Sequence, residues 1–260
     1  MPHTRSFASD QPDLSRLPPV NLHLLVSVRD AAEAQLANSL GVQWIDLKNP
    51  EAGSLGAADS LTALRVSTIL AGRAGLLTSA AAGELRNQAT PAAHMLAPLF
   101  PLIKVGMSGL SGDDSWTGQL QGLRHEIESA GSQLVPVIYA DYEACSAPTP
   151  QEILAAVGNM DQAFPNWSGQ RYILIDTYTK DGRRLLDWLS ETQLMDIMHQ
   201  AGQQRRQVVL AGSLALADLP KLLKLPAAAI AVRSAVCSSD RRSPICPQKV
   251  THWLKIVENQ

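Results

Sequence analysis

The chain repeats one alternation from end to end: a short, nearly continuous apolar run, then a stretch of helical length that is polar on one side. The apolar runs are Leu22–Val28, Gln43–Lys48, Gly75–Ala80, Leu102–Gly106, Gln133–Tyr139, Arg171–Asp176, Gln207–Gly212 and Ala228–Val232. Val-, Ile- and Leu-rich runs without polar alternation fit strands covered on both faces, as in a parallel sheet flanked by helices. The intervals supply the helices. Asp30–Leu40 opens on a capping Asp and is followed by Gly41, and Asp113–Ala130 ends at Gly131. Leu61–Leu70, Pro150–Phe164, Arg183–Ala201, Ala215–Leu225 and Pro247–Val257 complete the set. Glu84–Leu99 is the least helical interval, because Pro91 and Pro98 interrupt it.

Strand–helix alternation of this kind predicts an α/β fold, a single-domain (β/α)8 TIM barrel over residues 21–260, and a chain of 260 residues has the usual length. An open doubly wound sheet is the alternative. It lacks support, since neither Gly-x-Gly-x-x-Gly nor Gly-x-x-x-x-Gly-Lys-Ser/Thr occurs where it would be needed. Pro136 inside the fifth run removes a ladder hydrogen bond and calls for a bulge or a strand start. Residues 1–20 are polar and Pro-rich with no apolar segment of the signal type, so a flexible arm is expected there.

Composition narrows the partners. A net charge of −2 gives no reason to expect nucleic acid or a membrane surface, and no apolar run is long enough to span a bilayer. Three cysteines at unrelated spacings fit a reducing cytoplasm. The six histidines show no ligand spacing, so neither a metal nor another cofactor is expected. A homo-oligomer is the expected assembly.

Lys48 and Lys104 are each the lone cation in an apolar run that reads as a buried strand. A buried ammonium is costly unless it is paired, neutral or reactive. Side chains two apart on a strand share a face. With Ile45 and Leu47 packed outward, Asp46 and Lys48 point into the barrel, above Trp44. Lys104 in the fourth run and Asp176 in the sixth point inward by the same parity, and Lys180 follows on the loop after Asp176. These five residues converge on the C-terminal mouth, where such barrels keep their active sites. Crowded, partly buried lysines lose affinity for protons, and a neutral amine attacks a carbonyl to form an imine. Nearby carboxylates can move the protons required. The plainer reading is a set of salt-bridged lysines, with Asp46 simply the partner of Lys48.

Phosphate ligands are expected from the loops after the seventh and eighth strands, at Gly212, Ser213, Arg233 and Ser234. The Gly53-Ser54-Leu55-Gly56 loop could close over a phosphate, and Ser54 is a candidate contact. Asp141 shares parity with Tyr139 and either reaches the mouth or caps a loop. Arg29 is either a rim charge or a phosphate ligand. An arginine of Asp240-Arg241-Arg242 reaches a phosphate if the eighth loop folds over the site.

These segments resemble one family in order. Asp46-Leu47-Lys48-Asn49-Pro50 with Gly53-Ser54-Leu55-Gly56-Ala57 is similar to its opening signature. Ile103-Lys104-Val105-Gly106, Tyr139-Ala140-Asp141, Asp176-Thr177, Lys180-Asp181-Gly182, Leu210-Ala211-Gly212-Ser213 and Val232-Arg233 follow. The family is (5-formylfuran-3-yl)methyl phosphate synthase, of methanofuran biosynthesis and one-carbon metabolism. The resemblance implies a barrel lyase that joins two molecules of glyceraldehyde 3-phosphate into a furan, with loss of water and one phosphate. It implies Lys48 as the Schiff-base lysine, Lys104 as the proton acceptor, and Asp46, Asp176 and Lys180 as supporting catalytic residues. Ser234 departs from the glycine usual at its position. Two alternatives from the residues alone are another Schiff-base aldolase or lyase acting on a phosphorylated sugar, and a barrel that binds a phosphometabolite without turnover.

Overall fold

The computed structural model describes residues 22–86, 89–163 and 169–258. The arm at 1–20 and the end of the helix expected to reach Phe164 lie outside the described residues. Eight strands close a barrel in sequence order. They are β1 (His23–Val28), β2 (Trp44–Leu47), β3 (Leu77–Glu84), β4 (Leu102–Gly106), β5 (Gln133–Tyr139), β6 (Arg171–Asp176), β7 (Arg206–Leu210) and β8 (Ala227–Val232). Every neighbouring pair is parallel, including the closing pair of β1 with β8.

Around it run α1 (Ala31–Ser39), α2 (Ser60–Leu70), α3 (Ala89–Leu96), α4 (Trp116–Ser129), α5 (Pro150–Ala163), α6 (Leu185–Trp188), α7 (Glu191–Gln203), α8 (Leu219–Leu222) and α9 (Pro247–Glu258). Local chemistry sets their ends: Asp30 caps Glu33 N at the start of α1, and Asp59 caps Thr62 N at the start of α2. Strand parity divides the core in two. Val26, Ile45, Ile103, Ile173 and Ile230 face the helices in the larger cluster. Leu25, Trp44, Ala81, Leu102, Val137, Leu174, Val209 and Ala229 fill the barrel interior.

Five expected elements differ. The third strand was expected to end at Ala80, but β3 continues to Glu84; its Ala-Ala-Ala-Gly run reads as loop because it lacks branched side chains, yet both neighbouring strands shield it. Glu84 is therefore the end of a strand and not the start of a helix. The interval Arg183–Ala201 is two helices, because Ser190 forms a capping box with Gln193 and starts α7 afresh. The interval Ala215–Leu225 is a 3-10 turn followed by the four-residue α8. The helix expected from Asp113 begins only at Trp116, since the Asp113 carboxylate is bonded to Ser115 N and Oγ in a turn. Pro136 sits within β5, and the ladder to β6 begins just after it at Val137 opposite Leu174.

Candidate active site

Ser27, Asp46 and Ser79 stand side by side in register across β1, β2 and β3, all pointing inward. Asp46 is fully buried and accepts from Ser27 Oγ at 3.0 Å and Ser79 Oγ at 2.7 Å. Ser79 in turn accepts from Trp44 Nε1 at 3.1 Å. The Lys104 ammonium from β4 lies 2.5 Å from Asp46 Oδ2, so this buried carboxylate is well satisfied by two hydroxyls and one cation. On the opposite wall, the Lys180 ammonium lies 3.0 Å from Asp176 Oδ1 at the end of β6 and also donates to Thr177 Oγ1 at 3.1 Å. Burial alone would raise the Asp176 carboxyl, but Lys180, Lys48 and a hydrogen bond from Thr177 N outweigh it and hold the group below its usual range.

Lys48 stands between these two ion pairs. It follows the last residue of β2, and its backbone N–H still donates to Val28 O at 3.0 Å, which anchors it beside β1. Asn49 then caps the 3-10 turn Pro50–Ala52, which turns the chain away from the mouth. Lys48 is 9% exposed, and among the described residues no hydrogen bond or ion pair engages its Nζ. Burial lowers its amine from the ordinary 10.5 to about 7. Asp176 and Asp46 oppose that shift, and the charges of Lys104 and Lys180 reinforce it. The three lysines, alike in the sequence, thus differ in state: two are held by carboxylates, and one is an uncommitted amine that is about half neutral near pH 7.

A small cavity of about 40 Å³ lies over this amine. Lys48, Lys104, Asp176 and Lys180 line one side, and Gly212, Ser213, Ser234 and Arg241 line another. The loops after β7 and β8 therefore reach the site, as phosphate-binding loops of such barrels do. Gly212 and Ser213 both have positive φ, 105° and 52°. Arg233 also borders the cavity, but its guanidinium is occupied: it pairs with the buried Glu33 of α1 and donates to the backbone carbonyls of Ser27, Arg241 and Ser243. Arg241, from the segment that read as a surface cluster, folds across the mouth and donates to Gly53 O at 2.8 Å.

Three candidate ligands lie elsewhere. Asp141 is buried and accepts from Tyr178 N and Thr179 N, both at 2.7 Å, so it fastens the loop that carries Lys180. Ser54 donates to Thr177 O at 3.0 Å, which ties the β2 loop to that same segment. Arg29 sits at the rim against Asp30 and Glu33.

Glu84 and Tyr139 form a further pair at the mouth that no sequence pattern singles out. Tyr139 Oη donates to Glu84 Oε1 at 2.6 Å, and Glu84 Oε2 accepts from Ser108 N at 2.9 Å. Strict alternation after Ser79 and Ala81 would turn Glu84 outward. A register shift between Ala81 and Glu84, with Gly83 at φ 96°, re-aims it over the end of β4, opposite Gly106. A side chain at Gly106 would overlap both the Glu84 carboxylate and the Tyr139 hydroxyl, so only glycine leaves room for the pair. Burial pushes the Glu84 carboxyl above its ordinary range, and the charge of Asp176 adds to the effect. The one trace in the sequence is an acidic residue after a run of small ones.

Comparison with known proteins bears on this mouth. The chain is 29% identical over 244 residues to the (5-formylfuran-3-yl)methyl phosphate synthase of Archaeoglobus fulgidus, covering 91% of this chain and 99% of that protein. It is 28% identical to the synthase of the same name from Methanosarcina acetivorans, covering 86% and 94%. Among solved structures, phosphoribosyl anthranilate isomerase from Thermus thermophilus superposes with a TM-score of 0.58 at 12% identity, covering 92% of this chain and 99% of that one, a likeness of fold alone. The model of the 4-HFC-P synthase family matches residues 24–254, nearly the whole barrel and every residue of the lysine cluster, and the chain belongs to that family.

Proposed function

We propose that this protein makes (5-formylfuran-3-yl)methyl phosphate from two molecules of glyceraldehyde 3-phosphate, through a Schiff base on Lys48, as a step towards a methanofuran-type cofactor. The observation that carries the reading is the state of Lys48: buried, uncommitted, and poised at about 7 between two ion-paired lysines. A pure binding site has no use for an amine in that state.

In this reading the neutral Lys48 amine adds to the aldehyde carbon of the first triose. The carbinolamine then loses water to give the imine. The imine withdraws electrons from the adjacent carbon, whose proton is taken by a basic group at the mouth, and the resulting enamine expels inorganic phosphate from the next carbon. The enol so formed attacks, through that carbon, the carbonyl of the second triose, isomerised to its ketone form. Loss of two waters then closes the furan, and hydrolysis of the imine frees Lys48. Lys104, held against Asp46, and Lys180, held against Asp176, are the groups placed to move protons during these steps. Gly212, Ser213, Ser234 and Arg241 are the candidate contacts for the phosphate of the Lys48-bound triose.

Borohydride reduction in the presence of glyceraldehyde 3-phosphate, followed by peptide mapping, tests the assignment. The expected result is one reduced adduct on Lys48 and none in Lys48→Arg, which keeps charge but not nucleophilicity. An adduct on a different lysine, or turnover that survives Lys48→Arg, overturns it. A simple aldol product without a furan would point instead to another lysine-dependent aldolase.

A further inference from the structure

The compartment over Lys48 is too small for two sugars. Its volume is only about 40 Å³, room for about three ordered water molecules. A second cavity of about 640 Å³ has Ser54 on its wall, and Ser54 donates to the carbonyl of Thr177, the neighbour of Asp176 in the first. Gly53, Ser54, Gly83, Glu84, Arg86 and Tyr178 line the second cavity.

Two separate departures from regular structure deliver Glu84 to that cavity. One is the register shift in β3, and the other is the bare Cα of Gly106. Glu84 accepts from Tyr139 Oη and from Ser108, and a carboxylate has capacity for about four bonds. Arg86 is the cation of the cavity. Among the described residues it makes no ion pair with a carboxylate, and its hydrogen bond goes from one Nη to Gly109 O at 2.5 Å. The rest of its planar fork remains open to an anion. Arg233, by contrast, is fully engaged and cannot serve a second phosphate without giving up Glu33.

We propose that this second cavity receives the second phosphorylated triose, with Arg86 on its phosphate and Glu84 accepting from its hydroxyls, so that its carbonyl faces the carbon activated on Lys48. The inference rests on the two-triose reading above. It assigns the two trioses to separate lobes, divided by the Ser54–Thr177 contact.

The test uses the full chain with glyceraldehyde 3-phosphate and two readouts, furan formation and borohydride-trapped adduct on Lys48. In Arg86→Gln the KM for furan formation should rise roughly 10- to 100-fold, the loss of one charge-assisted contact. The trapped adduct should change less than about twofold, because the first triose does not use the cavity. Glu84→Gln should lower furan formation in the same way and spare trapping. Arg86 is exposed, so its variant decides the matter even if Glu84→Gln fails to fold. An unchanged KM in Arg86→Gln refutes the lobe, and so does trapping that falls in step with furan formation. A wild-type protein that gives neither adduct nor furan refutes the functional reading itself, and the second lobe with it.

Discussion

Replacing Lys48 by Met should abolish the adduct and make the fold more stable. The wild-type amine titrates at about 7 when folded, against an ordinary 10.5. The difference of 3.5 units corresponds to about 5 kcal/mol at about 1.36 kcal/mol per unit. Between those two values the unfolded chain binds more protons than the native one, so raising the pH favours the native state and removes the penalty. Below about pH 7 both states carry the proton and the penalty is full. The gain of Lys48→Met should therefore be about 5 kcal/mol near pH 6, about 2 kcal/mol near pH 9, and absent above about pH 11. Methionine keeps much of the length and leaves Asp176 with Lys180 and Asp46 with Lys104. For a chain of this size the gain near pH 6 should raise Tm by roughly 10 °C or more. Urea unfolding of both proteins across that pH range measures it. A variant no more stable than wild type near pH 6, or a gain that does not shrink as pH rises, refutes the claim that Lys48 is held against its own solvation.

Two further substitutions probe the barrel's ends. Gly106→Ala puts a methyl where Glu84 and Tyr139 meet, so it should cost about 1–3 kcal/mol and reproduce the functional defect of Glu84→Gln; normal activity would show that the pair has no part in the reaction. Asp161 of α5 is shared by Arg124 of α4 at 2.7 Å, Arg206 of β7 at 2.6 Å and Arg171 of β6, at the end of the barrel remote from the lysines. Asp161→Ala strands buried guanidinium charge and should lower stability by about 3–5 kcal/mol in urea unfolding, while the Lys48 adduct still forms in the cold.

Strand parity was enough to bring Asp46, Lys104 and Asp176 to one mouth, because a two-residue period and a covered outer face leave a side chain only two directions. The separate states of the three lysines were not legible. They depend on which carboxylate each meets across the barrel, and Lys104 meets Asp46 through a register that no local pattern encodes. Arg233 shows the same limit: its partner Glu33 lies far away in the chain and becomes its neighbour only when β8 closes on β1. Glu84 was lost for a different reason. A bulge breaks the alternation on which the parity argument rests, and its signature, a glycine among alanines, is shared with ordinary loops.

The contacts across the mouth also bear on how the enzyme fills. Arg241 reaches from the β8 loop to Gly53 O, and Ser54 reaches from the β2 loop to Thr177 O. On the two-triose reading, the narrow compartment of about 40 Å³ would widen if such contacts part. Should the loops part to admit substrate, breaking the two bonds would cost about 2 kcal/mol at about 1 kcal/mol each, and the apparent affinity for a first triose would be weakened roughly thirtyfold. Re-forming the same bonds over a bound substrate would return the difference. Entry would then be governed by a pre-equilibrium between two loop arrangements, and the imine would form behind a closed door, with bulk water kept from hydrolysing it before the second sugar arrives.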